Sequence, residues 1–152
     1  MENNVRVNKK KMVLIVAAIS IISVVALIAV PRFISGEENV AFKEVEEGKV
    51  PSEISSEVLP EYRTLERALA CIVNDDVYVI VTRGEKPSSG FGVSIDKMMI
   101  EEENDNKNLI VYAKFDDPDK ETPISQIITY PTCIVKTELS YLPDNIELRI
   151  QY

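Results

Sequence analysis

Hydrophobic positions divide this chain into one long unbroken block and a series of short alternating ones. The block is residues 12–30, nineteen residues without a charge, proline or glycine, in which only Ser20 and Ser23 are polar. A helix hides such hydroxyls by bonding them to the carbonyl four residues back. At 1.5 Å per residue the run reaches about 28 Å, the thickness of a hydrocarbon core, and Pro31 ends it. Beyond residue 66 the pattern becomes strand-like. Ala68-Leu69-Ala70-Cys71-Ile72-Val73 and Val77-Tyr78-Val79-Ile80-Val81-Thr82 flank Asn74-Asp75-Asp76, which is hairpin composition. The second arm is almost continuously apolar and reads as a central strand covered on both faces. Phe91, Val93 and Ile95 alternate with polar residues, an acidic turn is expected over 101–108, and residues 109–115 and 124–135 are further apolar runs. Pro131 interrupts the last of these and should mark a bulge or an edge. Residues 146–152 alternate cleanly to the end. The pattern predicts an all-β fold, a small antiparallel sandwich or open barrel of about six strands. Residues 53–66, broken by Pro60, read as a short helix or turn before it.

Charge orients the long block. Arg6, Lys9, Lys10 and Lys11 precede it, whereas Glu37 and Glu38 follow soon after Arg32. Basic flanks stay on the cytoplasmic side, so a basic tail (1–11) is expected inside, a transmembrane helix over 12–30, an acidic linker over 31–52 and an extracytoplasmic domain over 53–152. A cleaved signal peptide would have a shorter apolar core and small residues at its exit, and Leu27-Ile28-Ala29-Val30-Pro31 offers no such site. Residues 31–152 carry thirteen basic and twenty-four acidic side chains, a net −11. Such a domain repels nucleic acid and anionic lipid headgroups.

Candidate chemistry is sparse. The chain has no histidine, which removes Ser-His, Cys-His and His-ligated metal mechanisms. Two cysteines, Cys71 and Cys133, fall in expected strands, where a cross-strand disulfide and two buried thiols are both open readings. Asp116, Asp117 and Asp119 lack the glycine and terminal glutamate of an EF-hand loop and read as a solvated turn. A Ser-Lys dyad of Lys86 with Ser88 or Ser89 would need a buried lysine, which a glycine-bounded surface loop does not supply. No cofactor motif is present, and the chain is not expected to be an enzyme. The most distinctive loop runs Gly84-Glu85-Lys86-Pro87-Ser88-Ser89-Gly90-Phe91. Pro87 fixes its own φ, the serines can bond nearby backbone, and Gly90 can take φ > 0. It is either a well-specified connector or a rigid recognition loop on a β-scaffold.

These residues resemble a known family. Arg83-Gly84-Glu85-Lys86-Pro87-Ser88-Ser89-Gly90-Phe91 is similar to the G-x-K-P-T-G-G-Y signature of the PrcB-type C-terminal domain, and Ile127-Ile128-Thr129-Tyr130-Pro131 resembles its T-Y-P segment, within a resemblance covering about residues 65–152. That family is named for an accessory subunit of a surface protease complex of bacteria. The anchor, the shaped loop and the lack of a catalytic constellation together lead to the expectation of a membrane-tethered, non-catalytic interaction domain, and the resemblance implies docking on or stabilising an envelope protein or protease complex. The candidate contact residues are those of the shaped loop, Gly84, Lys86, Pro87, Ser88, Ser89, Gly90 and Phe91, with Tyr130 and Pro131 as a second patch. Pro87-Ser88-Ser89-Gly90-Phe91 is also similar to the N-P-T-T-G-F/Y loop of chagasin-type cysteine-protease inhibitors, although Lys86 replaces the asparagine and the chain lacks tryptophan. That second resemblance implies an inhibitor inserting the loop 86–91 into a cleft. A structural or sensory envelope module using the sheet edge near Pro131 is the third reading.

Overall fold

In a computed structural model, residues 37–119, 121 and 123–152 are described; the expected transmembrane helix at 12–30 lies outside them. Among the described residues no helix is long and apolar enough to cross a membrane. Eight strands are present there: β1 (Glu37–Asn39), β2 (Phe42–Glu44), β3 (Glu66–Val73), β4 (Asp76–Arg83), β5 (Gly92–Glu103), β6 (Asn106–Asp116), β7 (Thr132–Thr137) and β8 (Asn145–Gln151). They form two four-stranded sheets, ordered β1-β5-β6-β8 and β2-β7-β4-β3. The fold is mostly β and no barrel closes.

The core lies between the sheets. Val79, Val81, Cys133 and Val135 from one meet Ile95, Met98, Ile100, Leu109, Val111 and Phe115 from the other. The opposite face of β4 packs Tyr78 and Ile80 against Ile54, with Val50, Val58 and Leu59 alongside. β4 is therefore covered on both faces, as its continuous apolar run predicts. The second cover comes from the segment after β2: a 3-10 turn (Glu47–Lys49), a π-turn (Ile54–Val58) and a short helix α1 (Leu59–Tyr62) with Pro60 in its first turn. Proline is tolerated there because a first-turn N–H has no helical acceptor.

Two expectations need correction, and a third point was open between two readings. First, part of the stretch read as a tether, 31–52, is folded. β1 pairs with β5, β2 pairs with β7, Val40 between them is buried, and Gly36–Tyr152 fold as one unit. Three-residue strands rich in glutamate carry too little apolar signal to be read as strands. Second, the sheets are not wholly antiparallel, because β6 and β8 pair in parallel. The chain leaves β6 for β7 in the other sheet and returns beside β6, the long crossover that parallel neighbours need. Third, Cys71 and Cys133 are free thiols on strands that flank β4. Cys71 lies opposite Tyr78 and Cys133 opposite Val81, three residues apart along β4. An odd offset puts them on opposite faces, and two strand spacings of about 4.8 Å exceed the reach of a disulfide.

The acidic turn expected at 101–108 is tighter than its composition suggests. β5 runs through Glu103, and Asn104 and Asp105 alone make the turn, with φ of 52° and 67°. Asn74 and Asp75 turn the β3–β4 hairpin in the same way, at 52° and 66°. Positive φ at both central residues matches the right-handed twist of the strands, and Asn and Asp tolerate it.

Candidate functional site

The loop 84–91 joins β4 to β5, and its shape is set by Arg83 at the end of β4. Arg83 is 3% exposed, with its guanidinium 5.0 Å from the ring centroids of both Phe91 and Phe115. It donates to the Gly92 carbonyl at 3.2 Å, to the Asp116 carbonyl and to the Asp117 carboxylate. One buried cation thus fixes the start of β5 and the end of β6, and the aromatic faces offset part of its desolvation. Its Nε is the one buried side-chain nitrogen or oxygen without a partner among the described residues.

Beyond Arg83 the loop is strapped to the segment that leads into β7. Lys86 and Thr129 exchange both backbone hydrogen bonds, each 2.9 Å. The Thr129 hydroxyl donates to the Ser88 carbonyl at 2.7 Å. The Ser89 N–H donates to the Ser125 carbonyl at 2.9 Å, and the Ser125 N–H to Ser89 Oγ at 2.8 Å. Ser88 is buried, and Gly90, at φ +93°, sits where an added Cβ would lie 2.8 Å from the Pro118 side chain. Gly84, at φ +75°, lets the chain pass under the Thr64 carbonyl.

The second sequence patch belongs to the same surface. The Tyr130 hydroxyl donates to the Glu85 carboxylate at 3.0 Å, and the Arg63 guanidinium lies 4.6 Å from its ring centroid. The bond to Glu85 holds the Tyr130 hydroxyl above its usual pKa, because that bond is lost with the proton. The Pro131 carbonyl accepts from the Arg83 N–H at 3.0 Å. Its missing N–H lies on the same inner side, so Pro131 precedes β7 without forming its free edge.

Of the residues read as a recognition loop, Ser88, Ser89 and Gly90 hold the loop down, while Glu85 and Pro87 face solvent. Sequence reasoning missed Ile127 and Ile128, each 60% exposed, and Ile124 at 39%. Their signal was an apolar pair within a Ser/Thr/Gln stretch, read instead as part of an apolar run. Two aspartates of the turn engage cations within the fold, Asp117 with Arg83 and Asp116 with Lys114 at 2.6 Å, while Asp119 accepts from the Glu121 N–H at 3.2 Å. Among the described residues no three acidic, cysteine or histidine side chains converge on one point.

Comparison with protein families gives a match to the family described as PrcB C-terminal over residues 77–138, from the start of β4 to just past β7. Residues 77–138 are of the PrcB C-terminal type. This PrcB-type stretch contains the buried Arg83, the strapped loop and the 123–131 segment that straps it. No curated protein and no solved structure matches the chain.

Proposed function

We propose that the chain is a non-catalytic docking module, held on the outer face of a cell membrane by residues 12–30, that binds an envelope protein or protease complex. The observation that carries this reading is the exposure of Ile124, Ile127 and Ile128 on a segment that five hydrogen bonds hold against the loop 84–91. Large aliphatic side chains held rigid and exposed bury apolar area on binding at little ordering cost. The PrcB type supports a protease-complex accessory role in general terms. A loop 86–91 inserted into a protease cleft has less support, because Ser88 is buried and Lys86 and Ser89 are bonded to the neighbouring segment.

A photo-crosslinking residue at position 127, introduced in cells, tests the reading. It should give one dominant envelope-protein adduct, absent when the probe is moved to position 75 on the β3–β4 turn. The same adducts from both positions would sink it.

A further inference from the structure

A second site lies beside those exposed isoleucines, on the outer edge of the strand leading through Tyr130 into β7. On its inner side, Thr129 bonds Lys86 and Pro131 bonds Arg83. In an extended chain successive residues direct their backbone groups to opposite sides, so those of Ile128, Tyr130 and Thr132 point away from β4. The next residue of that parity, Ile134, bonds outward to the Val45 N–H at 2.8 Å, and there β2 leaves the edge. β2 covers only Val135 to Thr137, so among the described residues the edge over 128–132 has no strand neighbour. It opens instead into a groove of about 730 Å³. Val45, Val50, Leu59 and Ile134 supply its apolar lining, and Glu44, Glu46, Glu47 and Arg63 its charges. Of the glutamates, Glu46 is paired with Lys49 at 2.8 Å, while Arg63 lies over Tyr130. Glu44 and Glu47 leave the rim acidic.

We propose that this groove takes an extended peptide of alternating apolar and basic residues, which adds as a strand to the free edge at 128–132. Backbone hydrogen bonds to the edge supply affinity, and side-chain pockets with the acidic rim supply selectivity. A second copy of this chain is the poorer occupant, because two domains of net −11 would meet across an acidic rim. Ile128 lines this groove as well as the docking surface, whereas Ile127 does not line the groove, so variants of Ile127 let the two readings fail separately.

The test uses the full chain in detergent micelles and a fluorescent peptide of four Val-Lys repeats, read by anisotropy and by hydrogen exchange. The peptide should bind and slow exchange at the Tyr130 and Thr132 amides. N-methylation of one set of alternate amides should weaken binding at least tenfold, and of the other set hardly at all, since a strand adds through one edge. Glu44→Lys with Glu47→Lys should also cost at least tenfold, and Thr132→Pro should abolish the hydrogen-exchange effect. Ile127→Glu should leave peptide binding unchanged. The proposal is overturned if both N-methylated sets bind alike, if a Val-Glu peptide binds as well, or if the groove variants instead abolish self-association of the chain.

Discussion

Replacing Gly90 by alanine would place a Cβ 2.8 Å from the Pro118 side chain in a backbone held at φ +93°. The left-handed conformation and the overpacking together should cost about 2–4 kcal/mol, read as a shift of the urea midpoint. Arg83 predicts a contrast. Arg83→Ala leaves the Gly92 and Asp116 carbonyls unpaired and empties the space between two rings, a loss of about 3 kcal/mol. Asp117→Asn should cost no more than about 1 kcal/mol, because that carboxylate is 69% exposed and screened by solvent. Cys133 gives a pH dependence. Burial pushes its thiol up to about 11 from an ordinary 9.0, so in the folded chain it stays protonated after the unfolded chain has ionised. Its contribution is fully present below pH 9 and is lost as the pH rises towards 11, by about 2–3 kcal/mol. Denaturation curves across that window should show the loss, and Cys133→Ala should remove it.

At the scale of elements, the irregularity in β5 decides which side chains enter the core. The register with β6 shifts between Ile95 and Lys97, leaving Asp96 without a cross-strand partner. Ile95 is in the core, and after the extra residue so are Met98 and Ile100, while Lys97 is exposed and stacks at 5.6 Å over Tyr112. Deleting Asp96 would restore strict alternation from Ile95 with Lys97 still outward and Met98 and Ile100 still inward, so the pairing with β6 should survive without the bulge. A loss of no more than about 1 kcal/mol is expected, and a urea titration followed by circular dichroism would expose a larger one. This bulge also shows where sequence reading stops. The alternation Phe91, Val93, Ile95 was legible, but no local signal marks the residue where the period slips. Strands β3, β4, β6, β7 and β8 were legible because their apolar side chains follow burial directly. β1 and β2 were not, since a three-residue charged strand is stabilised by its partner's ladder. The loop 84–91 stood out by its Pro and Gly residues, yet its burial against 123–131 depends on contacts between segments far apart in sequence.

For the whole molecule, the charge pattern and the fold bear on different questions. With no histidine in the chain, no side chain has an ordinary pKa between the carboxylates and the thiols. Folding stability should therefore change by less than about 1 kcal/mol between pH 6 and pH 8, and fluorescence-detected melts in matched salt would check it. Removing residues 12–30 should move the chain from the membrane to the soluble fraction on carbonate extraction. Retention in the membrane would count against the proposed anchor. The family match begins at the start of β4 and stops after β7, whereas the folded unit begins at Gly36. The elements outside the match close the edges and outer face of a core that the matched strands build.

β1 and β2 have a mechanical consequence. They are consecutive in the chain but belong to different sheets, and each is held by three residue pairs to a longer strand. A chain tethered at its N-terminus and gripped at its far loops transmits tension first to these pairs. Antiparallel strands pulled from one end open pair by pair, so β1 should yield before β2 and both before the β4 ladders. The eight residues from Glu37 to Glu44 would then form a free arm up to about 27 Å long while the central strands stay folded. The N-terminal edge would act as a yielding link in series with the domain, extending the reach of the proposed docking surface under load.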